Sequence, residues 1–452
     1  MKTSYPVQWL AGILSCWYSL VNRHKTPGNR VTVVLTSFHG DGYRGNTRVI
    51  FERLCKHPVL KPVWLSRNRK LVQNLKNRFG NERSCLTHSL AGIRALNHAS
   101  AVFLTHGTSD YPFIRLPRHA MIIQTYHGLP TKRGEYMRPG SDRRPGFFHR
   151  KILEYRFRPI THFLSSSPLV TELFSSRFNI PPECFIETGY PAYDALAACG
   201  TTSQASPAPS SSMPSSSTSF HSPTEAVSTS SSAAPSKASS SRSSTLSVAS
   251  VDNTSRTASD RLSMFWPEAP AAEKLILYAP TFRRRSRTRW FPFDDFDPDV
   301  LSAYLEEKKA LIALRAHPNE GLNIRKYQTI CPRIVSGDQK TVENVFDLLA
   351  MSDVIITDYS SIYLEGLLLD IPVVFLPYDL ETYERGLPLP FEQTSPGPSV
   401  NCLNHLLTSL NDAFQRTDGY ELRRKKVRDL YFTRNDGKST DRVIQFLEKS
   451  LL

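Results

Sequence analysis

The chain has 452 residues, is 40% hydrophobic and carries a formal charge of +15. That length and apolar content exclude a single small module and leave room for two domains with real cores. The charge calls for anionic partners, but nucleotide, anionic lipid, phosphate polymer and nucleic acid all satisfy it. The seven cysteines (Cys16, Cys55, Cys85, Cys184, Cys199, Cys331, Cys402) are scattered and odd in number, with no CxxC or Cys/His spacing. Reduced thiols are expected, and neither a disulfide framework nor a zinc site.

In chain order, residues 7–21 (VQWLAGILSCWYSLV) are apolar and flanked by Lys2, Arg23 and Lys25. They fall short of the roughly 20 residues that span a bilayer as a helix. Gln8, Ser15, Ser19 and Asn22 share one helical stripe, so residues 1–30 are read as a segment lying in a membrane interface. A signal peptide and a helix packed on the first domain are the alternatives.

Residues 31–199 are expected to form one α/β domain. VTVVLTS (31–37), PVWLS (62–66), AVFLT (101–105), MIIQTY (121–126), HFLSSS (162–167) and FIETG (185–189) read as strands with amphipathic helices between most of them. This alternation predicts a parallel sheet covered on its faces. Gly40, Gly42 and Gly45 spell GxGxxG after the first strand, but the second strand ends in Ser66-Arg67-Asn68-Arg69 without the acidic residue that would hold a ribose. The motif is therefore read as a glycine loop and not as a dinucleotide site.

Residues 200–262 are dominated by serine and nearly devoid of large apolar side chains. Such a segment cannot offset its conformational entropy by burial, so a disordered interdomain connection is expected. A second α/β domain follows over 263–436, with strands in KLILYAPTF (274–282) and ALIALRA (310–316), helices over 298–309 and 342–352, and a closing helix over 437–452. The stretch from Asp353 to Asp379 is its centre. Val354, Ile355 and Ile356 read as a strand buried on both faces. Asp358, Ser360 and Ser361 follow at a strand-to-helix turn, where free backbone N–H groups and hydroxyls suit phosphate.

Two histidines sit just after predicted strands, His127 in QTYHGLPTK and His317 in ALRAHPN, one in each domain. Ligands bind at the carboxyl ends of parallel strands, which puts both at an interdomain cleft. Imidazole there can take a proton from an attacking hydroxyl or donate to a phosphoryl oxygen. His106 in LTHG is a third candidate of lower rank. Basic clusters at Lys132, Arg133, Arg143, Arg144, Arg150, Lys151, Arg156 and Arg158, and again from Arg283 to Arg289, suit diphosphate or a polyanion. The first can equally hold the chain on anionic lipid. Asp295-Phe296-Asp297 matches a DxD pattern but lies in a Pro/Asp-rich stretch and reads as a solvated loop. No metal site is expected.

GDGYRGNTRVIFE (40–52), QTYHGLPTK (124–132), ETGYPAYD (187–194), LILYAPTFR (275–283), RAHPN (315–319), the block from Asn344 to Gly386, SPGP (395–398) and NDGKSTDRV (435–443) together resemble the CDP-glycerol glycerophosphotransferase family of teichoic acid and capsule polymerases. The resemblance implies an α/β GT-B-like fold, two Rossmann-like parallel-sheet domains facing a cleft. It implies transfer of glycerol phosphate, or a similar polyol phosphate, from a CDP-alcohol to a hydroxyl of a lipid-linked glycan or polyol-phosphate polymer, with release of CMP. Its paired histidines fall on His127 and His317, and its hydroxyl-bearing helix start on Ser360 and Ser361. Gly128, Thr281, Arg283, Arg315 and Asp358 complete the expected substrate contacts; no cofactor is evident, and a divalent-metal requirement is left open. The implied place is the cytoplasmic face of the membrane, held peripherally on an anionic surface, with no nucleic-acid partner. Where the family usually has HGTP, this chain has His127-Gly128-Leu129-Pro130. A nucleotide-sugar glycosyltransferase of the same fold and a catalytically idle polyanion- or membrane-binding protein are the competing readings.

Overall fold

The computed structural model describes residues 31–134, 147–197, 257–283, 287–317, 320 and 322–452, together with Gln8, Leu10 and the stretch 12–15. Arg143, Arg144, Arg284, Arg285 and the serine-rich connection up to 256 lie outside the described residues.

Two all-parallel sheets organise the chain. The first contains β1 (Val31–Leu35), β2 (Leu60–Ser66), β3 (Ser84–Leu86), β4 (Ala99–Leu104), β5 (Met121–Gln124), β6 (His162–Ser165) and β7 (Phe185–Glu187), in the order β3-β2-β1-β4-β5-β6-β7. The second contains β8 (Lys274–Tyr278), β9 (Ala310–Leu314), β10 (Ile334–Ser336), β11 (Val354–Thr357) and β12 (Val373–Phe375), in the order β10-β9-β8-β11-β12. The expected pair of Rossmann-like sheets is present. Strands covered on both faces need no polar alternation, and β9 and β11 are buried at every position. The edge strands β3 and β10 were not predicted; with three residues each, they are too short to show a period.

In both sheets the strand order switches sides beside the first strand, between β1 and β4 in one and β8 and β11 in the other. At such a switch point the loops leave on opposite sides and open a crevice beyond the strand ends. Here those loops carry Phe38, His106, Thr281 and Asp358.

The connection expected through residue 262 ends earlier, because a helix runs from Ala258 to Phe265. Thr257 and Asp260 form a reciprocal capping box at its start, and Leu262 is buried. Such a cap satisfies two otherwise orphaned N–H groups, which the serine-rich composition upstream obscured.

The final helix, Ser439–Leu451, returns to the first half of the chain. The Asp194 carboxylate accepts from the backbone N–H groups of Ser439 and Thr440, at 2.9 and 2.8 Å. Arg53 pairs with Asp441 and His57 with Glu448, both at 2.9 Å. Across the halves, the Tyr193 hydroxyl donates to Glu365 at 2.9 Å and the Ser166 hydroxyl to the Tyr431 carbonyl at 2.7 Å.

Candidate active site

The loops at the ends of β1, β4 and β5 bring three imidazoles together. His106 and His127 stack face to face, with centroids 3.8 Å apart and planes at 3°. His39 lies against the other side of His106 at 4.1 Å. Phe38 closes the group, 5.2 Å from His106 and 6.0 Å from His127. The backbone is forced into place here: Phe38, His39 and Tyr126 all have positive φ, at 49°, 59° and 56°. For bulky side chains this costs on the order of 1 kcal/mol each, a strain concentrated at functional sites. The Asp110 carboxylate holds the turn, accepting from the backbone N–H groups of His39 at 2.7 Å and His106 at 2.9 Å.

The Nδ1 of His127 lies 3.1 Å from the Thr105 carbonyl oxygen. A carbonyl can only accept, so Nδ1 carries the proton and Nε2 the lone pair. Burial lowers the pKa of His127 to about 4, the Thr105 carbonyl opposing and the positive charges of Arg177, His39 and Arg156 adding to the drop. His127 still keeps part of its surface open to solvent. Burial, then the neighbouring His127, push His106 down to about 2. Both rings are therefore neutral at ordinary pH, and His127 presents a free basic nitrogen.

The segment after His127 crosses to the second half. The N–H of Arg133 donates to the Gly386 carbonyl at 3.2 Å, and its guanidinium to the Leu387 carbonyl. A Cβ added at Gly128 would stand 3.8 Å from the Ser361 hydroxyl oxygen, so the His127-Gly128 turn faces the serine turn directly. Leu129, where the family usually carries threonine, is buried and belongs to the core.

On the opposite wall, Asp358 is buried and accepts from the Thr281 N–H at 2.8 Å and from Arg283 at 2.6 Å. Arg283 also makes a two-bond fork to Asp379, at 3.0 and 2.8 Å. With one N–H going to the Thr281 carbonyl as well, its guanidinium is committed within the protein. Arg283 was expected to touch phosphate; its geometry instead makes it the clamp that fixes the Asp358 turn. The Thr281 hydroxyl is buried with no hydrogen-bond partner, an unmet polar atom at the end of β8. Ser360 and Ser361 are half-buried, and Ser361 makes no side-chain cap. The helix they open is short, Ile362–Gly366, so the hydroxyls and first N–H groups matter more there than any macrodipole.

His317 is exposed and stacks on Phe282 at 5.1 Å and 23°. Burial lowers its pKa, and Lys132 and Arg385 add to the drop, with Glu320 opposing. Lys132, five residues after His127, therefore reaches the neighbourhood of His317 from the other half of the chain. Burial, then Arg385, bring the Lys132 ammonium down to about 8. Arg315 donates to the carbonyls of Gly337 and Val342, at 2.6 and 3.1 Å. Sequence reasoning placed Lys132 in a basic cluster suited to diphosphate, a polyanion or anionic lipid, and singled out neither Arg44 nor Arg385 as a contact. Their signal was proximity to motif residues, which becomes decisive only when the two halves meet.

The DxD aspartates have structural partners. Asp297 caps the helix Pro298–Glu307, and Asp295 accepts from the Leu403 N–H at 3.0 Å. Among the described residues no group of three or more His, Cys, Asp or Glu side chains is placed to hold a metal.

Residues 18–206 and 251–449 match the family model described as CDP-Glycerol:Poly(glycerophosphate) glycerophosphotransferase. A teichoic acid glycerol-phosphate transferase of Staphylococcus aureus is 22% identical over 93% of this chain and 94% of its own. The teichoic acid poly(glycerol phosphate) polymerase of Bacillus subtilis is 23% identical over 94% of this chain, which spans 50% of that longer protein. A solved structure of the wall teichoic acid polymerase TagF superposes with a TM-score of 0.66 at 19% identity, covering 99% of this chain and 98% of that one. By this match along both halves, the chain belongs to the CDP-glycerol:poly(glycerophosphate) glycerophosphotransferase family.

Proposed function

We propose that the protein transfers glycerol phosphate from CDP-glycerol to a hydroxyl of a lipid-linked polyol-phosphate or glycan acceptor. The acceptor oxygen attacks the β-phosphorus, the bond from that phosphorus to the bridging oxygen breaks, and CMP leaves. A new phosphodiester forms, and the hydroxyl proton passes to Nε2 of His127. His317, Lys132, the Thr281 hydroxyl and the Ser360-Ser361 turn would hold the diphosphate and offset charge on the departing CMP. The observation that carries this reading is the His127-Gly128 turn, with its free Nε2, set against the Ser361 turn of the opposite half. A solved form of TagF was soaked with CDPG, in keeping with this donor.

The same reading includes peripheral attachment to a membrane. Gln8 and Ser15 are buried while Leu10, Ile13 and Leu14 are exposed, so the short N-terminal helix turns its apolar side outward. Gly12 packs on Phe113, which is itself exposed. The helix Phe147–Phe157 exposes Phe147, Phe148, Ile152 and Tyr155 beside Lys151. Apolar side chains fringed by cations suit an anionic bilayer surface. No helix among the described residues is long and apolar enough to cross a membrane.

The test is incubation of the full chain with labelled CDP-glycerol and a lipid-linked glycerol-phosphate primer. CMP release with growth of the primer is expected. Turnover of a nucleotide sugar instead, or of no donor, overturns the reading.

A further inference from the structure

Of the three imidazoles at the ends of β1, β4 and β5, the transfer step uses one nitrogen of one ring. Hydrogen-bond partners fix the tautomer of all three. The Thr105 carbonyl holds the Nδ1 proton of His127. The Asp110 carboxylate already accepts from a backbone N–H on each oxygen, so the Thr105 hydroxyl gives it its single proton, at 3.1 Å. The same hydroxyl oxygen lies 2.9 Å from Nδ1 of His106 and can only accept there, so His106 also carries its proton on Nδ1. The Ser109 hydroxyl donates to the His106 carbonyl at 2.6 Å, which leaves its oxygen to accept from Nδ1 of His39 at 3.1 Å. Each ring therefore keeps its lone pair on Nε2, and among the described residues no protein group donates to any of the three. Burial lowers the pKa of every one of them, so these lone pairs are free at neutral pH.

His106 and His127 form a pair by orientation. Their planes lie 3° apart at 3.8 Å, and both turn Nδ1 onto Thr105. An Nε2 lone pair lies in its ring plane, so the two leave the stack side by side and nearly parallel. Parallel lone pairs do not converge on one ion, as tetrahedral metal ligation requires. They suit two hydroxyl hydrogens on adjacent carbons. His39 is tilted by 46° to His106, and its lone pair leaves in another direction.

We propose that the stacked pair reads a vicinal diol at the end of the acceptor, with the attacking hydroxyl on Nε2 of His127 and the hydroxyl of the next carbon on Nε2 of His106. His106 is then a specificity-determining residue. A terminal glycerol phosphate unit carries such a diol. An acceptor with a lone hydroxyl displaces the water from His106 and leaves its lone pair without a donor, and sites built to bond a hydroxyl reject analogues that lack it. This assignment names the acceptor class of the transferase reading above and rests on it.

The test compares two lipid-linked primers with CDP-glycerol as donor and the full chain as enzyme. One primer ends in glycerol phosphate and the other in 3-hydroxypropyl phosphate, which lacks the neighbouring hydroxyl. Wild type is expected to favour the diol primer by about tenfold or more in kcat/KM. H106F keeps an aromatic ring on His127 but has no lone pair, and is expected to lose most of that preference through the diol primer alone. Thermal melting checks folding, and H106A replaces H106F if that variant does not fold. A preference absent in wild type, or unchanged in the folded variant, overturns the proposal. A second arm needs no turnover: NMR of the full chain with isotope-labelled histidine reads each ring nitrogen directly. Glycerol 3-phosphate is expected to shift Nε2 of both His106 and His127, and 3-hydroxypropyl phosphate that of His127 only. A proton on Nε2 of His106 in the free protein, or no shift there with glycerol 3-phosphate, also overturns the proposal. Should wild type transfer to neither primer, the transferase reading fails and the NMR arm decides the diol site by itself.

Discussion

His106 lies flat on His127, at 3.8 Å and 3°, while the Thr105 carbonyl fixes which nitrogen of His127 is free. One ring face of the base is thus shielded by a neutral aromatic surface and one nitrogen is committed to the backbone. His127→Ala is expected to lower transfer by roughly 100- to 10,000-fold, the range typical of a positioned general base. His106→Ala should retain turnover but admit water to the His127 ring, relieving the burial that depresses its pKa. Because the base works unprotonated, the acid limb of the kcat/KM profile should lie below the ordinary imidazole range in wild type and move to higher pH in the variant. An unmoved limb in a folded His106→Ala protein would remove this role.

The Arg283 clamp separates structure from binding. Removing it leaves Asp358 buried without its cation, a loss worth about 3–5 kcal/mol for a broken buried pair. Urea unfolding of Arg283→Gln should show a drop of that order. Were Arg283 a phosphate ligand instead, stability would hold and the KM for CDP-glycerol would rise.

Glu365 makes the join between halves sensitive to pH. Burial raises its pKa to about 7, with the Tyr193 hydroxyl and Arg315 opposing. The folded chain therefore keeps a proton that the unfolded chain has already released. Stability falls as pH rises from the ordinary carboxylate range toward 7 and levels off above it. Glu365→Gln should flatten this part of the curve, read as urea midpoints at pH 5 and pH 8.

The exposed apolar side chains of the helix Phe147–Phe157 predict lipid binding. Each large side chain buried in an interface contributes about 1.5–3 kcal/mol, so Phe148→Glu with Ile152→Glu should cut co-sedimentation with anionic vesicles at least about tenfold. Transfer to a soluble acceptor should be unaffected, and unchanged sedimentation would exclude this face.

Much of the fold was legible because buried parallel strands declare themselves as unbroken apolar runs: Val354–Thr357 and Ala310–Leu314 need no tertiary information to be recognised. The histidines at strand ends were legible for the same reason, since topology sends every such end toward the crevice. The short edge strands and the helix after Thr257 were hidden by brevity and by serine-rich surroundings.

Sequence alone determined two covered parallel sheets, the strand-end histidines and the hydroxyl-bearing turn, because periodicity and strand-to-helix order are local properties of the chain. Only the tertiary structure decided that Arg283 is committed to Asp358 and Asp379 and that Lys132 reaches the neighbourhood of His317. A guanidinium's role depends on which acid stands within hydrogen-bonding distance, and residues 75 and 96 positions apart meet only when the second sheet closes.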